Sequence, residues 1–294
     1  MRIMNIKQLM SVAVTAGLGL PFHAHAQGAA APDADLEFPV TVAQASVGAP
    51  PISRPELTVP KTGVDVYVSR HQLSNGFGDW REVGVRGSYE SGPHRLQAEL
   101  ASMRRFGESG NYIGVGDTVT FSDDWFASIS AGAGDGAFYL PRYRLDGFIN
   151  RKFLPERNLI GTLGAGYYSG PDGHIDRSVS IGATYYFSFP LVVQGEMRFN
   201  NSTPGSIRTR QQSVAATLGR DKQTQLIGRY GWGREGYQTI GQNTALVDFR
   251  SNEASLKVRH WLGPNWGVQA GVERYRNPFY VRSGGNVGFF WQFS

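Results

Sequence analysis

Charged side chains recur in this sequence at every second position, between apolar neighbours, which is the arrangement that a polar passage or a buried ionic lining requires. Glu82, Arg86 and Glu90 fall on one face of an extended segment, with Val83, Val85 and Tyr89 on the other. Glu99, Arg144, Asp146, Glu196, Arg198, Arg229, Lys257, Arg259 and Glu273 hold the same kind of position in later segments. Turned to the inside of a closed sheet, such a set selects solutes by sign, size and hydrogen bonding. The competing use is packing: the charges pair with one another and fill the interior. Turned to lipid, each would cost about 2–4 kcal/mol at the bilayer midplane. The near balance of signs argues against strong ion selectivity.

Other chemistries find less in the sequence. Acyl hydrolysis needs a serine, a histidine base in reach of it and a group to orient that base. There is no Gly-x-Ser-x-Gly elbow. His260 shares the apolar face of Leu256 and Val258, while His71, His94 and His174 fall at strand ends or in loops. Gly132–Gly136 lacks the following helix and Lys-Ser/Thr of a phosphate loop. Gly170–Asp176 misses the regular ligand spacing of a calcium loop. The expectation is therefore no catalytic residue, no metal, no cofactor and no enzyme. Arg208, Arg210, Arg229 and Arg234 are placed to meet lipopolysaccharide phosphates.

Composition narrows the class of fold. The chain has 294 residues, 38 of them glycine, with no cysteine, so disulfides, thiolate metal sites and cysteine nucleophiles are excluded. Its formal charge of +5 falls to +3 when Arg2 and Lys7 are left out, and no basic block is present, which speaks against nucleic acid. Mean hydropathy is −0.30, and no apolar run after the first 26 residues is long enough for a spanning helix. Residues 1–26 read as a secretory signal: Arg2 and Lys7, an apolar Leu9–Leu20, then Ala24-His25-Ala26 before cleavage at Gln27. Residues 27–61 carry Pro32, Pro39, Pro50, Pro51, Pro55 and Pro60 and read as an extended or disordered periplasmic arm.

From Thr62 onward apolar and polar residues alternate in segments of roughly ten to fifteen residues, the length of tilted strands crossing a bilayer. Tight-turn sequences stand at 91–93, 122–124, 155–157, 188–190, 220–222 and 263–265. Between them lie segments rich in Gly, Asn and Asp, at 72–79, 105–111, 133–141, 168–175, 200–210, 233–250 and 275–285. Short turns alternating with long loops is the asymmetry of an outer-membrane barrel. The reading is an all-β antiparallel transmembrane barrel over 62–294, of about fourteen strands (alternatively twelve), with short periplasmic turns and long extracellular loops. Trp80, Trp125, Trp232, Trp261, Trp266 and Trp291 all lie near strand ends, where an indole settles at the membrane interface.

The final segment, Gly284–Ser294, resembles the C-terminal strand by which bacterial outer-membrane barrels are recognised for insertion. Phe289, Trp291 and Phe293 share one face, although Ser294 follows the last aromatic. The region from about Val64 also resembles the YaiO-type outer-membrane β-barrels. The resemblance is carried by Asp79-Trp80 opening the second strand, Phe153-Leu154-Pro155 at a turn, Gly164–Tyr168 and the aromatic finish. It implies a bacterial outer-membrane location and a loose association with cell-surface polysaccharide systems, with no established activity. Some members carry helical repeats ahead of the barrel, where this chain has only the proline-rich arm.

The functional expectation is a narrow channel or a component of an envelope or exopolysaccharide system. The alternatives are an enzyme acting on lipid A or phospholipid, and a non-conducting structural or adhesive barrel. Expected partners are outer-membrane lipids, lipopolysaccharide, the barrel-assembly machinery during insertion and polysaccharide.

Overall fold

The computed structural model describes residues 62–293, so the signal and the proline-rich arm expected over 1–61 lie outside the described residues. Fourteen strands follow one another in order. They are β1 (Thr62–Leu73), β2 (Asp79–Ser91), β3 (His94–Arg105), β4 (Glu108–Thr120), β5 (Trp125–Gly134), β6 (Tyr143–Phe153) and β7 (Leu159–Ser169), then β8 (Ile175–Tyr186), β9 (Leu191–Thr203), β10 (Ile207–Gly219), β11 (Thr224–Gly241), β12 (Thr244–Trp261), β13 (Trp266–Arg276) and β14 (Val281–Phe293). Each pairs antiparallel with its sequence neighbour, and β14 pairs back onto β1 from Phe293↔Thr62 to Arg282↔Leu73. The sheet is thus closed, and no wall strand is left with an open edge in lipid, where unpaired N–H and C=O groups would each cost several kcal/mol. No helix occurs among the described residues.

The alternation seen in the sequence becomes inside and outside. On β3, Gln97, Glu99, Ala101, Met103 and Arg105 are buried, while Leu96 and Leu100 are exposed on the outer face. The outer face carries an apolar belt, represented by Val68, Val85, Ile113, Ile129, Leu163, Ile181, Val272 and Val287. Such a belt is what acyl chains solvate in place of water.

Thr62 and Phe293 lie at one end of the barrel, the periplasmic end by the usual orientation. The connections there are 92–93, 121–124, 154–158, 187–190, 220–223 and 262–265, all at the turn sequences. Gly92, at φ +57°, supplies the left-handed residue of the two-residue turn between β2 and β3. At the opposite end, the mouth, the connections are 74–78, 106–107, 135–142, 170–174, 204–206, 242–243 and 277–280. The long loops expected there are replaced largely by strand. Residues 233–250, expected as a loop, are the tip of a hairpin whose two strands run 18 residues each. Gly, Asn and Asp report that the chain has left the lipid, but a polar strand goes on pairing in water because its backbone groups still satisfy one another.

Candidate functional site: the charged interior and its mouth

Every charged residue assigned to the lumen from sequence lies on the inner face, and most meet an opposite charge. The Tyr67 hydroxyl donates to Glu82 at 2.7 Å and to Glu99 at 2.9 Å. Glu99 also accepts from Arg86 Nε at 2.7 Å, and Glu82 lies 3.2 Å from Arg105. Across the barrel, Arg144 bonds Asp146 at 2.6 Å, and Arg198 lies 3.6 Å from Asp146 while donating to the Ser178 hydroxyl at 2.5 Å. Arg229 meets Glu253 at 3.1 Å, Arg282 bonds Glu273, and Arg259 reaches Asp65 at 3.3 Å. Glu196 lines a small cavity with Arg198, Arg229 and Glu253. Lys257 sits on the same inner face of β12, paired in register with Gly271. The wall is therefore lined by matched pairs. A buried charge that lost its partner would be strongly unfavourable, so the pairs hold one another in place.

Two mouth segments turn inward. The β5–β6 connection folds into the barrel: Tyr139 and Leu140 are fully buried against Ala101, Met103, Tyr112 and Tyr168, which are inner residues of β3, β4 and β7. The Tyr139 hydroxyl donates to the Met103 carbonyl at 3.0 Å. Gly110 and Gly134 admit this loop, because a Cβ on either would fall within 3.0 Å of the Leu140 side chain.

The second segment is the β11–β12 hairpin. Ladder pairing between β10 and β11 stops at Gln211↔Gly233, although β9–β10 pairing continues to Ser202↔Ile207 and β11–β12 pairing to Gly241↔Thr244. Above Gly233 the hairpin leaves β10 and leans over the mouth. There Glu235 accepts from Tyr275 at 2.9 Å, and Gln238 donates to the Tyr280 hydroxyl at 2.5 Å and accepts from Asn277 at 3.2 Å. On the other side Tyr237 stacks on His174 at 5.6 Å, and the Thr239 hydroxyl reaches Asp172 at 3.4 Å. A chain of rings, Tyr280–Phe77–Phe106–Phe138–Tyr139, runs from the β13–β14 connection, where Tyr280 meets Gln238 of the hairpin, to the β5–β6 connection. Of these mouth residues, Gly134, Tyr168, Asp172 and His174 fell in motifs singled out from the sequence for other reasons; the rest did not, because their roles depend on which strands are neighbours.

The family model of the YaiO membrane beta barrel domain matches residues 61–238. The chain belongs to this family. Solved structures share its fold. One is the CymD monoaromatic hydrocarbon channel, with TM-score 0.55, 7% identity, and coverage of 80% of this chain and 88% of that one. Another is a bacterial polysaccharide outer membrane secretin, with TM-score 0.51, 11% identity, and coverage of 79% and 98%. An anion-selective porin from Comamonas acidovorans aligns with TM-score 0.44 and 12% identity over 80% of this chain and 99% of its own. Among curated proteins, none matches this sequence. These likenesses are of fold: the YaiO barrel here is an outer-membrane β-barrel with channel-like neighbours.

The aromatic girdle of this YaiO barrel is smaller than its tryptophan positions imply. Trp125, Trp232, Trp266 and Trp291 point outward, the last three 40–42% exposed. Trp80 and Trp261 point inward and are buried, which corrects their assignment to the membrane interface. Trp80 lies between the Arg105 and Arg282 guanidinium groups, each 4.7 Å from its ring. Trp261 packs on Phe290 at 4.9 Å, beneath Arg259. Both share the parity of lumen charges, Glu82 and Arg86 for Trp80, Lys257 and Arg259 for Trp261, and that parity was the available signal.

Phe289, Trp291 and Phe293 line the outer face of β14, beside the β14–β1 closure. Arg229, grouped from sequence with three outward arginines, points inward to Glu253 instead. His260 faces outward near the periplasmic end, with Nδ1 2.7 Å from the Thr224 hydroxyl and no carboxylate contact among the described residues. His94 pairs with Asp117 at 2.7 Å on the same outer face.

Proposed function

We propose that the protein is a narrow passive channel for small polar solutes, closed at the mouth by the β11–β12 hairpin. The observation that supports this most directly is the matched set of charges down the inner wall, which keeps the interior polar without a strong net sign. The hairpin is held by an apolar cluster, in which Leu246, Phe249 and Ile240 pack with Tyr275, Tyr280, Leu73 and Phe77, and by hydrogen bonds between polar side chains, each worth about 0.5–1.5 kcal/mol. An acyl-hydrolase reading has less support, since His260 lies on the outer face beside a threonine.

The test is conductance of the detergent-folded protein in a planar bilayer. Wild type is expected to open briefly, and the Glu235→Gln/Gln238→Ala variant to stay open for a larger fraction of time. Selectivity is expected to shift when Arg198 or Glu196 is changed. If correctly folded wild type and the hairpin variant are both silent, the channel reading fails and the barrel is structural.

A further inference from the structure

The departure of the hairpin from β10 leaves a groove of about 1510 Å³ at the outer rim, and its lining is strongly one-signed. Arg177, Arg208, Arg210, Arg234, Arg250 and Arg276 all line it. Arg234 is paired with Asp248 at 2.7 Å. The other five have no acidic partner among the described residues. Register places the six in one band around the rim: Arg177 pairs with Asn201 and Asn201 with Arg208, while Arg234 pairs with Arg250 across the hairpin.

Immediately below this band each outer face becomes apolar. Val179 follows Arg177 on β8, Phe199 precedes Asn201 on β9, Val214 lies below Arg210 and Gln212 on β10, and Tyr230 and Trp232 lie below Arg234 on β11. Tyr230 and Trp232 stack at 5.5 Å and are 46% and 42% exposed. The band thus stands at the upper edge of the belt that faces acyl chains, where lipid headgroups lie.

The groove also reaches through the wall. Ser178, Asn200, Thr209 and Asn277, all inner-face residues, line it together with the outward arginines. The passage exists because residues 207–210 of β10 and 234–241 of β11 do not pair with each other. A partner here must bring several negative charges at headgroup height and apolar chains beneath them. Clustered guanidinium groups are suited to phosphate oxygens, which they bind bidentately.

We infer that this groove is a binding site for a phosphorylated, acylated glycolipid of the outer leaflet. Its phosphates sit among the arginines, its acyl chains lie along Val179, Phe199, Val214, Tyr230 and Trp232, and its sugars enter the break between β10 and β11. The site requires only that the barrel sit in the membrane; it stands whether or not the interior conducts.

Native mass spectrometry of the protein purified from membranes in detergent tests this, with diphosphorylated lipid A as the probe. One lipid per barrel is expected to remain bound. The Arg208→Gln/Arg210→Gln/Arg250→Gln variant is expected to bind it on the order of tenfold more weakly, as loss of charge-assisted contacts to phosphate requires. Folding of each variant is checked by the mobility shift on boiling, and the changes are all at exposed outer positions. Arg81→Gln/Arg104→Gln, which alters outward arginines on the opposite wall, is the control and is expected to bind as wild type does.

Equal weakening by the control would mean general rim charge and would overturn the proposal. So would undiminished binding of the dephosphorylated lipid, or displacement of the lipid by an equal concentration of free pyrophosphate. The last result would mark a site for a soluble anion instead.

Discussion

The inner face and the outer rim of the barrel handle arginine in opposite ways. Between β1 and β3 the ladders run unbroken for the full strand length, and the arginines on the inner face, Arg86 and Arg105, are tied to Glu99 and Glu82. Between β10 and β12 the ladder breaks at Gly233, and arginines crowd the outer rim with only Arg234 paired to an acid. The difference follows from dielectric. Inside, where water is scarce, a cation without a counter-ion is expensive, so the protein supplies the counter-ion itself. At the rim, water solvates each guanidinium, and a cluster can persist until a ligand brings negative charge. Pairing inside and lack of pairing at the rim therefore have one cause, and each can be broken separately.

The largest effect belongs to the paired wall. Arg105 is fully buried against Glu82 and lies over the Trp80 ring. Arg105→Ala removes the buried guanidinium that lies 3.2 Å from Glu82 and is expected to cost about 3–5 kcal/mol, read from urea titration of the folded band in detergent. A loss under about 1 kcal/mol would mean that water reaches the inner wall freely, and the contrast between inner face and outer rim would fail.

Next is the break itself. Gly233 has φ +154°, and a Cβ built there would lie 2.4 Å from the Arg210 carbonyl oxygen. Gly233→Val is expected to cost about 1–3 kcal/mol. Faster amide exchange should be confined to 207–210 and 234–241, with Gly228→Ala, which meets nothing closer than 3.9 Å, as the silent comparison.

Much of this was legible in the residues before any coordinates. Period-two alternation placed Glu82, Arg86, Glu99 and Glu273 on one face because a pleated strand allows no other outcome. Gly92-Pro93 and its five counterparts marked the periplasmic turns because turn backbones select their residues. What was hidden depended on neighbours across the barrel. Tyr237 and His174 are 63 positions apart and meet only because the hairpin leans over the mouth. The rim groove was half visible: Arg208, Arg210 and Arg234 stood out, whereas Arg177, Arg250 and Arg276 join them through strand register. Trp80 and Trp261 were misread through position along the strand, when parity governs which side a ring faces.

A smaller effect is expected at the hairpin. Gln238 is buried, donating to Tyr280 and accepting from Asn277. Gln238→Ala is expected to loosen the mouth by about 1 kcal/mol. Exchange at 235–241 should quicken while the β1–β3 amides are unchanged.

The smallest effect sharpens the contrast by holding geometry fixed. Arg70 meets Asp79 at 2.7 Å, closer than Arg105 meets Glu82 at 3.2 Å, yet the Arg70 and Asp79 side chains are 60% and 32% exposed. By distance alone the outer pair is the stronger. By solvation it is the weaker, because water and salt screen it and ordering a long side chain offsets the attraction. Double-mutant cycles on both pairs decide between these views. The Arg70–Asp79 coupling is expected at about 0–1 kcal/mol and to fade in high salt. The Arg105–Glu82 coupling is expected to be several-fold larger and to persist in salt, because the groups that would screen it cannot enter. Equal couplings would show that burial does not separate the inner wall from the rim, and the unpaired arginines would then need an explanation other than exposure.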